Sequence, residues 1–303
     1  MRSIRTLLLI TALVFISSIL AQAQSPKVNE NMIVTTDWLA KHLNDDALVL
    51  LQVGDKAEYE AAHIPRAQFI QIADISTPRG QGLTLELPPI DQLKTALEKF
   101  GISDNSRIVI YFGKDWVTPT ARVFMTLDYL GFGDRTSILD GGLPTWRAEG
   151  KPVTSEIVEA KTGNLTRHPK NKLIVDAAWV KENLSNANVR ILDARAPQFY
   201  TGAEQGRMPR GGHIPSARSI PFSSLVEDTN NKFKSAAALR ALFDQADVKP
   251  KSTVATYCHI GQQASLLYFV ARYLGYEAHV YDGSFEDWSK RSELPVEKAE
   301  VKP

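Results

Sequence analysis

The hydrophobic pattern of this chain alternates between two kinds of segment. Short apolar runs with the character of strands occur at 47–53, 107–112, 190–193 and 253–258. Between them lie segments whose apolar residues recur at helical spacing, such as 265–274. Alternation of this kind is typical of α/β units around a mostly parallel sheet. The sequence therefore predicts an α/β fold in which helices flank the sheet.

The second half of the chain repeats landmarks of the first half in the same order. The paired landmarks are Trp38 with Trp179, the His-Ile-Pro triplets at 63–65 and 213–215, and the Asp-Gly pairs at 140–141 and 282–283. The period is too long for a solenoid repeat, so each copy is a whole domain. We predict two tandem domains at 29–150 and 173–296, joined by a linker at 151–172.

Residues 1–23 have the features of a secretory signal peptide. Arg2 and Arg5 provide a positive start, an uncharged and largely apolar segment follows at 6–20, and Ala21-Gln22-Ala23 supplies a small-x-small cleavage site. An uncleaved membrane anchor is the alternative, but the apolar segment is shorter than the roughly 20 residues that a membrane span needs. We therefore expect cleavage after Ala23, export to a periplasm, and no stable membrane association of the mature chain.

Composition limits the classes of partner. The 303 residues include 35 Lys and Arg against 34 Asp and Glu, and no basic cluster stands out. We therefore expect no nucleic-acid partner. Cys258 is the only cysteine, so no internal disulfide can form. An unpaired cysteine in an exported chain suggests a reactive thiol.

Cys258 lies in a turn between a predicted strand and a predicted helix. Such a turn directs several backbone N–H groups, and the positive end of a helix dipole, at the sulfur. Both effects favour the thiolate, which is the nucleophilic form. We predict that the amides of residues 259–265 surround the sulfur, which needs no metal. A buried structural cysteine is the alternative interpretation.

With these landmarks in place, the chain resembles the rhodanese family of sulfurtransferases in its two-domain form. The resemblance covers essentially all of the mature chain. It implies that the second domain is catalytic and that the first is an inactive partner forming one wall of the cleft. The residues that carry it are Asp193-Ala-Arg195 followed by Tyr200, the segment 212–215, the loop 258–264, and Asp282-Gly283 with Trp288.

The resemblance implies transfer of sulfane sulfur from thiosulfate or 3-mercaptopyruvate to cyanide or a thiol, through a cysteine persulfide and without a cofactor. Cys258 would be the nucleophile. The persulfide would be held by the loop residues His259, Ile260, Gly261, Gln262, Gln263, Ala264 and Ser265. Possible substrate contacts are Arg195, Arg207, Arg210 and Trp116. Asp193 and Arg195 are interpreted first as a buried ion pair at a strand end.

The first copy lacks the residues that would make it a second site. Phe112 stands where the second copy has Cys258, and Gln52 and Gly54 stand where it has Asp193 and Arg195. We therefore expect the first domain to have no nucleophile.

The second copy departs from the family pattern next to its cysteine. Thiosulfate-specific relatives carry cations there, and mercaptopyruvate-specific relatives carry small residues, whereas this chain has His259-Ile260. Phe199 occupies the position of an arginine that grips the substrate in many members. His259 is a candidate for partial charge near neutral pH, or a surface histidine without a role.

These departures keep other functions open. An exported persulfide carrier without efficient turnover is the main alternative to an enzyme. Related phosphatases need an arginine at the position of Ala264, so phosphoryl transfer is disfavoured. A Cys–His hydrolase would need His259 as a positioned base, which the local turn disfavours. The oligomeric state is left open.

Overall fold

The computed structural model describes residues 25–114, 117–166, 169–170 and 172–299. The predicted signal peptide at 1–23 and the predicted contact residue Trp116 lie outside the described residues. Within these ranges, no helix is long and apolar enough to cross a membrane.

The first domain is built on a five-stranded parallel sheet in the order β1-β5-β4-β2-β3. Its inner strands are nearly continuous apolar runs, as expected for strands whose two faces are both covered by helices. The strands are β1 (Ile33–Val34), β2 (Leu48–Val53), β3 (Gln68–Ile70), β4 (Arg107–Phe112) and β5 (Thr136–Leu139), and the helices are α1 (Thr36–His42), α2 (Lys56–Ala61), α3 (Ile90–Glu98), α4 (Val117–Tyr129) and α5 (Gly142–Ala148).

The second domain repeats this plan, with a parallel sheet in the order β6-β10-β9-β7-β8. Two parallel sheets flanked by helices confirm the predicted fold class. The strands are β6 (Ile174–Val175), β7 (Val189–Asp193), β8 (Arg218–Ser219), β9 (Thr253–Tyr257) and β10 (Glu277–Tyr281), and the helices are α6 (Ala177–Glu182), α7 (Pro197–Thr201), α8 (Ala236–Gln245), α9 (Gln262–Tyr273) and α10 (Ser284–Lys290).

Equivalent residues make equivalent contacts in the two domains, as expected for a duplication. The rings of Tyr59 and His63 stack with centroids 4.0 Å apart, and those of Tyr200 and His213 stack at 3.9 Å. Each histidine fixes the turn of its His-Ile-Pro triplet through Nδ1, which lies 2.7–2.8 Å from the backbone carbonyl oxygen of the stacked tyrosine. The tyrosine at the end of the central strand also contacts the triplet, because Tyr111 OH and Tyr257 OH each accept a bond of 3.1 Å, from Ile64 N and Ile214 N respectively.

The domains pack together through α4 and α9, and one buried hydrophobic cluster extends through both. Phe124 meets Phe269 edge to face, with ring centroids 4.7 Å apart. Away from the turn that holds Cys258, the buried carboxylate of Asp128 accepts a hydrogen bond of 2.6 Å from Tyr268 OH and lies 3.2 Å from Arg272 Nε. The first domain is therefore joined to the second by apolar packing and by buried charge.

Candidate active site

Cys258 follows the last residue of β9, which is the central strand of the second sheet. The chain turns through His259 and Ile260 and enters α9 at Gln262. Gly261 has a φ of +86° at the residue before the helix, a conformation that favours glycine because it has no side chain. The cysteine thus lies at the carboxyl end of parallel strands and at a helix N-terminus, where α/β proteins commonly bind ligands.

Backbone amides converge on the sulfur of Cys258. The N–H groups of Ala264, Ile260, Gln263 and Gly261 all interact with it and favour its anion. These four belong to the seven amides, 259–265, that the sequence predicts around the sulfur. Ser265 differs, because its amide donates to Gly261 O at 3.1 Å and its hydroxyl donates to the same oxygen at 2.8 Å. The side chain of Ser265 therefore closes the first turn of α9.

The expectation that the free thiol ionises easily is wrong in its net direction. Cys258 is only 1% exposed, and this burial raises the pKa of the thiol more than the four amides lower it. Charge in a buried site loses the hydration that water would supply. The amides therefore reduce the cost of forming the anion without making the thiolate the resting form.

The segment after β10 supports the loop from the other side, which sequence reasoning missed. Cys258 N donates to Ser284 Oγ at 3.2 Å. The amides of Phe285 and Glu286 donate to the carbonyls of Cys258 and His259, both at 2.9 Å. The sequence carried one indication of this segment, because the repeated pair Asp282-Gly283 directly precedes Ser284, Phe285 and Glu286.

His259 is neutral near physiological pH, contrary to the suggestion of partial charge. Burial, followed by repulsion from Arg195, lowers the pKa of its imidazole to about 4. Its ring meets Phe199 edge to face, with centroids 4.6 Å apart. Phe199 therefore forms an aromatic contact with the residue after the cysteine and supplies no charge for a substrate.

Arg195 forms a buried ion pair with Asp193, in line with its first interpretation. It is 1% exposed, and its Nε and Nη2 donate to the carboxylate of Asp193 at 3.0 and 2.6 Å. Nη2 also donates to Gly212 O at 2.7 Å, and the guanidinium lies 4.1 Å from the ring centroid of Phe285. These contacts speak against a direct grip on the substrate.

Arg207 and Arg210, in the loop between α7 and β8, differ from each other. All three nitrogens of Arg210 donate to backbone carbonyls, so its predicted role as a substrate contact is not supported. Arg207 is exposed on the surface. The oxygens that Arg210 contacts, at 2.7–3.0 Å, belong to Trp288, Ser289, Arg291 and Leu294.

The first domain contacts this region directly. Thr84 N donates to Glu286 Oε2 at 2.9 Å, and Leu87 N donates to Asp282 Oδ2 at 3.1 Å. Gln262 Nε2, at the start of α9, donates to Thr118 Oγ1 at 3.3 Å. The sequence predicted a wall from the first domain, but it carried no signal for the 83–87 segment that supplies part of it.

The equivalent position of the first domain has no sulfur. Phe112 is buried at the end of β4, and Gln52 is fully buried at the position of Asp193. Neither side-chain polar atom of Gln52 has a hydrogen-bond partner among the described residues. In the part of the chain that the structure covers, no group of three or more His, Cys, Asp or Glu side chains could hold a metal ion.

Comparison with known proteins identifies the family. The rhodanese-like domain model matches the chain twice, at residues 35–149 and 176–291. The chain belongs to the rhodanese family. Both of its domains carry the family fold, although only the second carries a cysteine at the turn after the central strand.

Similar proteins align with most of this chain. The chain is 31% identical to the sulfur carrier protein TtuD of Thermus thermophilus, over 89% of this chain and 97% of that protein. It is 30% identical to the mitochondrial thiosulfate/3-mercaptopyruvate sulfurtransferase 1 of Arabidopsis thaliana, over 88% of this chain and 78% of that one. The crystal structure of YnjE superposes with a TM-score of 0.81 at 23% identity, covering 89% of this chain and 69% of that one, which shows the shared fold.

Proposed function

We propose that this protein is a sulfurtransferase that carries sulfane sulfur as a persulfide on Cys258. The observation that supports this most is the convergence of four backbone amides on the only sulfhydryl of the chain, at the N-terminus of α9. Fixed amide dipoles can stabilise an anionic sulfur both as thiolate and as persulfide. The curated relatives named as sulfurtransferases support the same reaction class.

The reaction proceeds in two displacements. The thiolate of Cys258 attacks the outer sulfur of thiosulfate, the S–S bond breaks, and sulfite leaves with the bonding pair. With 3-mercaptopyruvate, the C–S bond breaks and the carbon takes a proton as pyruvate leaves. Cyanide or a thiolate then attacks the terminal sulfur of the persulfide, and Cys258 leaves as the thiolate.

Two of the three arginines predicted to contact the substrate offer no free charge to a donor. Arg195 and Arg210 are bound to protein acceptors, and His259 is neutral above a pKa of about 4. A dianionic donor such as thiosulfate gains little from these groups. We therefore expect 3-mercaptopyruvate to have a kcat/KM at least as high as that of thiosulfate, measured with the same acceptor.

The pH dependence of sulfur loading follows from the burial of the thiol. Because burial raises the pKa of Cys258, most of the free enzyme is protonated near neutral pH. The reactive fraction should grow roughly tenfold per pH unit below that pKa. Single-turnover persulfide formation should therefore still accelerate with rising pH at pH 9.

A persulfide carrier is the second candidate. The Thermus thermophilus relative is named a sulfur carrier protein, and a buried thiol with a raised pKa suits storage as well as turnover. Steady-state assays with excess donor and cyanide separate the two functions. An enzyme continues to form thiocyanate over many turnovers, whereas a carrier loads one sulfur and stalls.

We also propose export to the periplasm, with cleavage after Ala23. The support is the positive start at Arg2 and Arg5, the apolar segment 6–20 and the small residues Ala21 and Ala23. N-terminal sequencing of the protein recovered from a periplasmic extract tests this. A mature chain that begins at Gln24 supports export, and an intact Met1 in the cytoplasmic fraction contradicts it.

A further inference from the structure

A buried arginine of the inactive domain reaches the loop that holds Cys258. Arg122 lies on α4, and its side chain is 0% exposed. Its Nη1 donates to Asp282 Oδ1 in the second domain at 2.5 Å, and its Nη2 donates to Leu85 O at 2.5 Å. One guanidinium therefore connects α4, the 83–87 segment and the residue that follows β10.

Arg122 also packs against Gly261 of the cysteine loop. A Cβ atom placed on Gly261 would lie 2.9 Å from Arg122 Nη1 and 3.0 Å from Asp282 Oδ1. These distances leave no room for a side chain. The Arg122–Asp282 pair therefore fills the space beside Gly261 where a side chain would lie. The amide of Gly261 is one of the four that interact with the sulfur.

A second connection runs through the segment that begins at Asp282. Two residues later, Ser284 Oγ accepts the hydrogen bond from Cys258 N at 3.2 Å. Asp282 is held at both carboxylate oxygens by the first domain, since Oδ1 accepts from Arg122 and Oδ2 accepts from Leu87 N at 3.1 Å. By holding the carboxylate of Asp282, the first domain therefore fixes both the charged pair beside Gly261 and the segment that accepts the hydrogen bond from Cys258 N.

We propose that Arg122 is a positioning residue for the sulfur chemistry of the other domain. Through Gly261 and Asp282 it keeps the backbone amides directed at the sulfur, so that the thiolate and the persulfide are stabilised only when the two domains are correctly packed. The inference rests on the proposed role of Cys258. It assigns the inactive domain a specific function beyond forming a wall.

Stability alone is a poor explanation for this pair. Buried ion pairs contribute little net stability compared with apolar packing, because both charges lose their hydration. The interface already has apolar packing between α4 and α9, including the contact of Phe124 with Phe269. A charged pair in contact with the cysteine loop is better explained by the geometry that it imposes.

The titratable and charged groups around the loop determine how the titration of the Cys258 thiol should be interpreted. From the second domain these are His259, the Asp193–Arg195 pair, Asp282 and Glu286, and from the first domain it is Arg122. Replacing Arg122 with Gln removes one cation and also leaves Asp282 unpaired. Both the lost alignment of amides and the uncompensated carboxylate should raise the pKa of the thiol.

The test is the titration of the single thiol in Arg122→Gln. The thiolate has its own ultraviolet absorbance, which can be followed against pH with Cys258→Ser as the blank. We expect the midpoint to rise by at least about half a unit, which reduces the thiolate fraction about threefold at a pH below the midpoint. The midpoint of the wild-type protein is the reference.

The matched control is Arg272→Gln. Arg272 also reaches a carboxylate across the interface, with its Nε 3.2 Å from Asp128 Oδ2. It lies in the last turn of α9, about 16 Å along the helix from Gly261. We expect this variant to lose stability without a change in the midpoint.

A second variant covers the possibility that Arg122→Gln folds poorly. The double variant Arg122→Met with Asp282→Asn removes both charges and leaves no unpaired ion, so it should fold. We expect its midpoint also to rise, because the charged pair beside Gly261 is lost. An unchanged midpoint in both folded variants, or an equal rise in Arg272→Gln, would overturn the proposal. The titration needs no turnover, so its result is independent of whether the protein is an enzyme or a carrier.

Discussion

The two domains share one sheet topology, and they differ in the side chains at the ends of equivalent strands. In the second domain, Asp193 and Arg195 form a buried pair at the end of β7, and Cys258 follows the central strand. In the first domain, Gln52, Gly54 and Phe112 occupy these positions. The apolar strands that specify the sheet are kept in both copies, whereas the polar residues at the strand ends are kept in only one.

In the first domain, an arginine from α5 makes one hydrogen bond that corresponds to a bond of the ion pair. The first domain has a cavity of about 280 Å³ beside Gly113, lined in part by Leu143 and Arg147. Arg147 Nη2 donates to Ala62 O at 3.2 Å, which is the counterpart of the bond from Arg195 to Gly212 O. An arginine from α5 has thus taken over one hydrogen bond of the missing side chain. The comparison shows that the same scaffold forms without the polar residues of the site.

The largest expected effect on activity comes from replacing the nucleophile, which only the second domain has. Cys258→Ser should reduce sulfur transfer by more than about 1,000-fold, because no other sulfhydryl exists to carry the sulfur. The fold should be retained, since the change keeps the size of the side chain nearly constant. Cyanide-dependent thiocyanate formation, with circular dichroism as the control for folding, measures both outcomes.

A transplant of the cysteine extends this prediction. The double variant Phe112→Cys with Cys258→Ser should stay inactive, because the first domain lacks the Asp193–Arg195 pair beside the new thiol. Recovery of turnover in this variant would mean that the two strand ends are chemically equivalent, contrary to the comparison.

The next effect concerns the buried pair of the second domain. Asp193→Asn should lower the free energy of unfolding by about 3–5 kcal/mol, because Arg195 would remain buried without a charged partner. Urea denaturation at neutral pH measures the change. A loss below about 1 kcal/mol would show that Arg195 finds another acceptor and that the pair is not what holds the strand end.

The neutral histidine gives the cysteine loop a pH response that the equivalent loop of the first domain lacks, since Gly113 occupies the position of His259. The pKa of His259 is about 4 in the folded chain and about 6.5 in an unfolded chain. The unfolded state therefore binds the proton more readily, and stability should fall as pH decreases from 6.5 to 4. Solvent screening of this partly exposed ring limits the loss to about 2 kcal/mol.

His259→Gln should reduce this pH dependence. Denaturation of the wild-type protein and of the variant at pH 7 and at pH 4.5 gives the difference directly. If the stability of both proteins depends equally on pH, the His259 ring is exposed to water, which would contradict its contact with Phe199.

The smallest expected effect is on stability, which should be unchanged or should rise. Gln52→Leu in the first domain should leave stability unchanged or raise it by about 1 kcal/mol, because it removes two buried polar atoms that have no partner among the described residues. Urea denaturation measures the change. A loss of more than about 2 kcal/mol would indicate that Gln52 is hydrogen-bonded in solution, as Asp193 is in the other domain.

Much of the fold could be predicted from the sequence because it depends on local and repeated patterns. The apolar run predicted at 107–112 is β4, and the run at 253–258 overlaps β9 to within one residue. The turn around Cys258 could be located because a strand, a glycine and a helix follow in order. The repeat then assigned Phe112 to the same place in the first domain.

The features that the sequence did not show depend on contacts between distant segments. Nothing local in Arg122 indicates that it reaches Asp282, 160 positions away. The net effect on the pKa of Cys258 was also missed, because the turn reveals the amides but not how far the sulfur is buried. The hydrogen bonds from Arg210 to the end of α10 could not be predicted either, because they depend on how distant segments pack.

The central claim is that Cys258 accepts and releases one sulfur atom, and intact-protein mass spectrometry tests it most directly. After incubation with thiosulfate or 3-mercaptopyruvate and removal of the donor, the wild-type protein should gain the mass of one sulfur atom and lose it again on addition of cyanide. Cys258→Ser should show no gain. An unchanged wild-type mass with every donor, or the same gain in Cys258→Ser, would contradict the account.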